Sequence, residues 1–367
     1  MIAYTNAKVF TGDMMLDNHV VLTDGPDVVD VIPVCQLPED IHSIDCNGDF
    51  LVPAFIDLQI YGGGGQLFSA YPTEKSLKIL AAQNAANGTY GCLVTLATQT
   101  MDNIEAGITA IKKYWQQGGA GIMGLHLEGP FINPLKNGAH IKEWIYSPTV
   151  SEVATLLEKA DGVIKMVTLA PEVVDNQIIQ LFKQAGIIVS AGHSNASLAQ
   201  SHTAFENGIT AVSHLFNAMS PLHHREPGLA GAAMAHNAVF ASVVADGIHV
   251  HFETVKLAKR LMGDRLFYIT DAVTQTNIGP YQHQLDTDHY NLPNGTLSGS
   301  ALTMLAAIRN GVRYCAIPLE ESLRMASMYP ARVIHAQNRL GKIGKGFVPV
   351  FAQVTKDLQQ AKLVSAF

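Results

Sequence analysis

The sequence has little charge and no basic cluster. Its 367 residues are 15% charged and 48% hydrophobic, whereas an average globular chain carries roughly 25% charged residues. Much of the chain must therefore be buried in a core or an interface, which excludes an intrinsically disordered protein. Lysine and arginine number 24 against 31 aspartate and glutamate, giving a net charge of −7, and no segment gathers the basic residues into a stripe. Nucleic acid is therefore not an expected partner.

Cysteine and long apolar runs are also scarce. The four cysteines form no C-x-x-C pair. No apolar run approaches the about 18 residues of a transmembrane helix. The N-terminus, MIAYTNAKVF, lacks the basic region and apolar stretch of a signal peptide. We expect a protein of the reducing cytoplasm that does not bind a membrane.

The sequence instead contains eight apolar runs, most of them followed by a helix-like stretch. The runs are LVPAFIDLQI, TYGCLVTLAT, GIMGLHLEGP, VIKMVTLAPE, GIIVSAGHS, ITAVSHLFNAM, FASVVADGIH and RLFYITDAV. Intervening segments such as SEVATLLEKADG have helical spacing and a closing glycine. Eight such units over about 250 residues match a (β/α)8 TIM-like barrel. The continuous apolar strands also suit a parallel sheet that is buried on both faces.

The two ends of the chain have a different texture. Residues 1–50 contain short alternating strands and turns such as Asp-Gly-Pro, and the tail from residue 341 returns to this pattern. The sequence therefore predicts an α/β protein of two parts. Residues 1–50 and 341–367 are expected to form a small β-sandwich domain, and residues 51–340 are expected to form the barrel.

Four residues that could bind a metal or accept a proton lie at the ends of predicted barrel strands. They are Glu128, His193, His214 and Asp271. In a (β/α)8 barrel these strand ends meet at one rim, where the active sites of this fold lie. One carboxylate and two imidazoles are a ligand set that leaves a position open on a catalytic Zn²⁺, and Asp271 would stand beside that position. A single histidine at a strand end is more often an ordinary polar group, and the spacings match no local zinc motif. The joint pattern nevertheless favours a metal site.

Two further features have more than one interpretation from the residues alone. The four glycines at 62–65 lack the spacing of a nucleotide-binding loop and suit either close backbone approach at the rim or a plain flexible loop. Arg225 follows the sixth run, where its guanidinium could hold a phosphate. A solvated surface arginine is the simpler interpretation of that position.

Several motifs resemble those of one family. In chain order they are PAFIDLQIYGGGG, GLHLEGPFINPLKNGAH, LAPE, SAGHSNAS, HLFNAMSPLHHREPGLAGA, ADGIHVH, ITDAV and NGTLSGSALTM. They resemble the N-acetylglucosamine-6-phosphate deacetylases of the amidohydrolase superfamily. The resemblance implies a metal-dependent hydrolase that converts N-acetyl-D-glucosamine 6-phosphate to D-glucosamine 6-phosphate and acetate in amino-sugar catabolism.

The resemblance also assigns roles to residues. It implies that Glu128, His193 and His214 hold one divalent ion per subunit, with Zn²⁺ as the first choice and Fe²⁺, Co²⁺ or Mn²⁺ as alternatives. Asp271 is expected to be the catalytic base, and His140 is expected to stabilise the oxyanion. The implied substrate contacts are Ala139, Asn217, Ala218, Arg225, Asp246, Gly247, Ile248, His249, Leu297, Ser298 and Gly299. The family is homodimeric, and the resemblance implies that Arg225 and His249 reach the partner's site.

Some positions depart from the family, and alternatives remain. Gln59 and Tyr61 stand where many superfamily members have H-x-H, so a one-metal site is expected. The segment AVTQ after Asp271 differs from the usual sequence of the family. The resemblance therefore does not specify which residues of this segment make the lid contacts. The alternatives are a deacetylase of another N-acetyl hexosamine phosphate, another mononuclear amidohydrolase, and a sugar-phosphate binder without activity. The complete ligand set and Asp271 argue against the last.

Overall fold

The computed structural model describes residues 1–365, which contain twenty strands and ten α-helices. The strands are β1 (Ile2–Phe10), β2 (Met15–Asp24), β3 (Asp27–Pro33), β4 (His42–Asp45), β5 (Phe50–Pro53), β6 (Phe55–Ile60), β7 (Gly62–Gly63), β8 (Gln66–Leu67), β9 (Thr89–Leu96), β10 (Ile122–Glu128), β11 (Ile164–Leu169), β12 (Ile188–Ala191), β13 (Ala211–Val212), β14 (Phe240–Val243), β15 (Leu266–Tyr268), β16 (Gln284–Asp286), β17 (His289–Asn291), β18 (Leu297–Ser300), β19 (Val350–Val354) and β20 (Ala361–Ser365). The helices are α1 (Glu74–Ala85), α2 (Met101–Gln116), α3 (Val150–Ala160), α4 (Asn176–Gln184), α5 (Leu198–Glu206), α6 (Gly228–Ala235), α7 (Phe252–Met262), α8 (Met304–Tyr314), α9 (Leu319–Ala326) and α10 (Met328–Val333). Among these residues, no helix is both long and apolar enough to cross a lipid bilayer.

A barrel of eight parallel strands forms the centre of the structure. Strands β6 and β9 to β15 pair side by side in chain order, and helices α1 to α8 follow them one after another. The first and last strands are joined just beyond their ends, where the Asp271 N–H donates to the Gln59 carbonyl at 3.0 Å and the Tyr61 N–H donates to the Ala272 carbonyl at 2.9 Å. The predicted (β/α)8 barrel is therefore confirmed.

Helix α3 illustrates why the segments between the strands are helical. Thr149 and Glu152 form a capping box that satisfies backbone N–H groups of the first turn. Val153 and Leu156 lie on the buried face of the helix, against the barrel core. The chain then leaves the helix through Gly162, whose φ of 78° favours a residue without a side chain.

The strands of the two chain ends form one further sheet. Its order is β20-β19-β5-β1-β2-β3, with β4 also paired to β1. Strand β19 runs antiparallel to β5, with Phe351 opposite Pro53, and Tyr4 and Phe351 lie in its core. This confirms a terminal β domain beside the barrel, while its predicted limits at residues 50 and 341 stay a prediction.

The first apolar run, residues 51–60, does not form a single strand. Its beginning lies in β5 of the terminal sheet, whereas its end forms β6 of the barrel. All ten residues are buried, so the hydrophobic pattern continues unbroken across the change of sheet. Burial alone does not tell which sheet a strand joins, because both sheets bury this segment.

A separate segment of residues 273–300, here called the flap, lies between β15 and α8. Strands β16, β17 and β18 form a three-stranded antiparallel sheet within it. Both ends of the flap are tied together next to Asp271, because the Ser300 N–H donates to the Asp271 carbonyl at 2.9 Å and the Val273 N–H donates to the Ser300 carbonyl at 3.1 Å. The flap therefore begins and ends at the rim of the barrel.

Candidate active site

A cavity of about 230 Å³ opens at the carboxyl ends of the barrel strands. Glu128 is the last residue of β10, and His193, His214 and Asp271 follow β12, β13 and β15. All four line the cavity. The last three have a left-handed backbone, with φ of 48°, 34° and 55°. Such strained conformations in residues other than glycine cluster at functional sites, so the backbone also marks this rim.

The Glu128 carboxylate stands at the centre of the cavity floor. Its Oε1 lies 2.8 Å from Nε2 of His214 and 3.5 Å from Nε2 of His193, and its Oε2 lies 3.0 Å from Nε2 of His140. The side chain is only 1% exposed. Burial by itself would raise the pKa of this carboxyl, but the three imidazoles hold the pKa of Glu128 well below its usual range. Glu128 is therefore an ionised carboxylate enclosed by imidazoles.

Hydrogen bonds on the far side of two of these rings assign opposite tautomers to them. Nδ1 of His193 lies 2.8 Å from the Lys136 carbonyl, so it carries the proton and donates, which leaves the lone pair on Nε2 facing the cavity. Nδ1 of His140 accepts the backbone N–H of Thr98 at 3.2 Å, so its Nε2 carries the proton and donates to Glu128. His193 is therefore equipped as a metal ligand, and His140 as a hydrogen-bond donor.

The donors present fit a divalent metal ion. Within the described residues, ligand atoms of Glu128, His140 and His193 lie within 4.8 Å of one another. His140 is not a ligand in its tautomer, because its Nε2 carries a proton and has no lone pair for the metal. His214 faces the same carboxylate oxygen as His193, and its buried Nδ1 has no hydrogen-bond partner in residues 1–365. One carboxylate and two imidazoles remain, which is a donor set of catalytic zinc sites.

Gln59 and Tyr61 take part in the site, although the sequence identifies them only as residues unsuited to a second metal. The Gln59 amide nitrogen lies 2.8 Å from Glu128 Oε1 and 2.8 Å from Asp271 Oδ1, and the Tyr61 hydroxyl donates to Glu128 Oε2. They are two residues apart at the end of β6, so both side chains point to the same side of the strand. That spacing was the available signal for their role.

Asp271 is placed to accept and release a proton near neutral pH. It is 8% exposed, and burial, with a further contribution from the nearby charge of Glu128, raises the pKa of Asp271 to about 7, although His214 opposes the increase. A carboxyl with such a pKa beside a cluster of imidazoles is typical of general acid-base chemistry. The Gln59 amide holds this carboxyl beside Glu128.

Two protein-family models together match nearly the whole chain. Residues 50–365 match the amidohydrolase family, and residues 1–51 match the NagA composite domain. The chain belongs to the amidohydrolase family. The resemblance found in the sequence motifs is thereby confirmed.

The similarity of this amidohydrolase to known proteins extends over its full length. An N-acetylglucosamine-6-phosphate deacetylase of Haemophilus influenzae is 34% identical, covering 97% of this chain and 96% of the relative. An N-acetylgalactosamine-6-phosphate deacetylase of Escherichia coli is 31% identical, covering 92% of this chain and 91% of the relative. The crystal structure of N-acetylglucosamine-6-phosphate deacetylase from Pasteurella multocida superposes with a TM-score of 0.94 at 32% identity and covers 99% of each chain.

The substrate contacts predicted for this amidohydrolase fall into two groups. One group lines the cavity together with His140: Ala139, Asn217, Ala218, His249, Leu297, Ser298 and Gly299. The other group does not line it: Arg225, Asp246, Gly247 and Ile248. The Asp246 carboxylate instead holds His249, accepting its backbone N–H at 2.8 Å and lying 2.6 Å from its Nδ1. Arg225 lies exposed on the loop after β13.

Two polar cavity residues of the amidohydrolase, Tyr281 and His283, come from the flap and were missed as site residues, as was the apolar flap residue Val273. Tyr281 is 3% exposed and His283 is 5% exposed, and both line the cavity. Nδ1 of His283 lies 2.9 Å from the Ser298 hydroxyl, and burial lowers the pKa of His283 to about 4, so its ring is neutral at physiological pH. No periodic pattern marks these positions, because residues 273–283 form neither helix nor strand and precede the three-stranded sheet of the flap.

Proposed function

We propose that the protein hydrolyses N-acetyl-D-glucosamine 6-phosphate to D-glucosamine 6-phosphate and acetate, in amino-sugar catabolism. The observation that carries the proposal is the meeting of Glu128, three imidazoles and Asp271 in one cavity at the rim of the barrel. Full-length similarity to deacetylases of N-acetyl hexosamine phosphates supports the choice of substrate. Metal dependence is part of the proposal.

We propose that Glu128, His193 and His214 hold one divalent ion, with Zn²⁺ as the first choice and Fe²⁺, Co²⁺ or Mn²⁺ as alternatives. Such an ion supplies Lewis acidity that acidifies a water molecule and polarises a carbonyl oxygen. Gln59 and Tyr61 bind the Glu128 carboxylate with an amide N–H and a phenol hydroxyl, and these groups are poor ligands for a second ion. One ion per chain follows from this arrangement.

The remaining chemistry is assigned to residues of the chain. Asp271, as a carboxylate, takes the proton of the attacking water and then delivers it to the departing amine nitrogen. His140 would shift its Nε2 proton from the hydrogen bond with Glu128 Oε2 to one with the acetyl oxygen as negative charge develops there. The Gln59 amide keeps the Asp271 carboxyl in place during both proton transfers.

Recognition of the sugar phosphate is assigned to the cavity wall and to a second subunit. Ala139, Asn217, Ala218 and the flap residues 297–299 would contact the sugar. We propose that the protein is a homodimer in which Arg225 reaches the phosphate in the partner's site. His249 was predicted to reach it too, but its side chain is 7% exposed and lines its own subunit's cavity, so we assign it to that cavity. A guanidinium suits a dianionic phosphate, and Arg225 is exposed on the loop that would have to cross the interface.

The test measures acetate release from N-acetylated glucosamine, galactosamine and mannosamine 6-phosphates and from unphosphorylated N-acetylglucosamine. The highest kcat/KM is expected for N-acetylglucosamine 6-phosphate, with loss of activity after chelation and recovery with Zn²⁺. A preference for the galactosamine compound would support the second candidate, which rests on the Escherichia coli relative. Binding without acetate release from any compound would refute the deacetylase.

A further inference from the structure

The flap contacts two residues next to His140. Its Tyr281 hydroxyl hydrogen-bonds to Thr98, which binds the His140 ring, and to Ile141, which follows His140 in the chain. We propose that Tyr281, a buried residue of the flap, is a positioning residue that holds His140 in the orientation needed for its role as a hydrogen-bond donor. The inference rests on the proposed function, because His140 acts there on the acetyl oxygen. Tyr281 itself does not contact Glu128 or Asp271 through a hydrogen bond in residues 1–365, so its influence passes through other groups.

The Tyr281 hydroxyl makes two hydrogen bonds, and both go to backbone groups. It donates to the Thr98 carbonyl at 2.7 Å and accepts the backbone N–H of Ile141 at 3.4 Å. A phenol hydroxyl has one proton to donate and lone pairs to accept with, so it can make both bonds together. The side chain is 3% exposed, and the flap, the end of β9 and the loop after β10 therefore meet at this one oxygen.

Both of these backbone partners belong to residues that determine the position of His140. The Thr98 N–H, on the same residue as the carbonyl that Tyr281 binds, donates to Nδ1 of His140 at 3.2 Å and fixes its tautomer. Ile141 directly follows His140 in the chain, so its N–H belongs to the peptide bond that leaves His140. Tyr281 therefore restrains both the residue that orients the ring and the backbone that carries it.

The ring of Tyr281 has a separate, apolar role. It packs with Leu67 and Val273 in a small cluster and stacks on His283, with ring centroids 6.3 Å apart and an angle of 9°. This packing anchors the flap, and a phenylalanine would keep it. The hydroxyl and the ring can therefore be separated experimentally, which distinguishes positioning of His140 from simple stability of the flap.

The experiment compares Tyr281→Phe with Tyr290→Phe in the metal-loaded protein. Tyr290 is a matched control, because it is half-buried in the same flap, packs against His283, and its hydroxyl makes no hydrogen bond within the described residues. For N-acetylglucosamine 6-phosphate we expect Tyr281→Phe to lower kcat about 10-fold with KM changed less than about 2-fold, since a misplaced donor weakens the transition state more than substrate binding. Tyr290→Phe should behave as the wild type.

Hydrogen exchange provides a readout that does not depend on catalysis. Peptides that contain residues 137–145 should exchange faster in Tyr281→Phe than in the wild type and in Tyr290→Phe, because the loop carrying His140 has lost a restraint. Unchanged exchange of these peptides would overturn the proposal, even if no sugar phosphate proved to be a substrate. Kinetic results could overturn the proposal as well. They would do so if Tyr281→Phe left kcat unchanged in an active enzyme or raised only KM, or if Tyr281→Phe and Tyr290→Phe lowered kcat equally.

Discussion

Replacing Asp57 by asparagine should make the stability of the protein less dependent on pH. Asp57 lies on β6, two residues before Gln59, and is 1% exposed. Its carboxyl accepts the backbone N–H groups of Gln59 and Thr270, both at 3.2 Å, and the Thr270 hydroxyl. Burial outweighs these donors and raises the pKa of Asp57 from 3.8 to about 6. The folded protein therefore binds this proton more tightly than the unfolded chain does.

The sign and size of the effect follow from linkage. The stabilising contribution of the protonated carboxyl is fully present below the unfolded pKa of 3.8 and is lost as pH rises through the folded pKa of about 6. The difference between these values, at about 1.36 kcal/mol per pKa unit, corresponds to about 3 kcal/mol of unfolding free energy. Asparagine remains neutral and can still accept both backbone N–H groups through its carbonyl oxygen.

The assay is urea unfolding of the wild type and Asp57→Asn between pH 4 and pH 7. The free energy of unfolding of the variant minus that of the wild type should rise by about 2.4 kcal/mol over this range, less than the full value because the unfolded carboxyl is already partly ionised at pH 4. Every other titrating group cancels in the difference. Asp30→Asn, at an exposed position on β3, is the control for the loss of one carboxylate from the chain. A constant or falling difference for Asp57→Asn would contradict a raised pKa of Asp57 in the folded protein.

Three further predictions concern the site. Elemental analysis should find one tightly held divalent ion per chain at Glu128, His193 and His214, and two ions would contradict a one-metal site. Asp271→Asn should keep metal content and fold but lose at least about 100-fold in kcat, because an amide cannot accept the proton of water; near-normal acetate release would move the base elsewhere. Arg225→Ala should raise KM for N-acetylglucosamine 6-phosphate by the equivalent of about 1.5–3 kcal/mol. The enzyme's preference for this compound over unphosphorylated N-acetylglucosamine should become smaller. Mixing Arg225→Ala chains with Asp271→Asn chains should restore some activity, because one site of each mixed dimer would regain both wild-type groups. No recovery, although the subunits exchange, would place Arg225 in its own subunit's site.

The barrel could be predicted from the sequence because its signals are local. Each barrel strand lies in a short apolar run of the sequence. Seven of the eight helices α1 to α8 have a side-chain N-cap, as α3 has in Thr149, and α3 is followed by Gly162. The rim residues could be predicted for the same reason, since Glu128 and Asp271 mark the ends of such runs. Once the strands are parallel, their carboxyl ends must meet, so the general position of the site follows from the order of the elements.

Only the tertiary structure decided which atoms meet inside the cavity. Gln59 and Asp271 are 212 residues apart, and their contact exists because the barrel closes between β6 and β15. The distinction between His193 and His140 depends on whether the far ring nitrogen faces the Lys136 carbonyl or the Thr98 N–H, and neither contact has a sequence pattern. Residue type and local burial are properties of the chain itself, whereas tautomers, shifted pKa values and the reach of the flap arise from partners that only folding brings together.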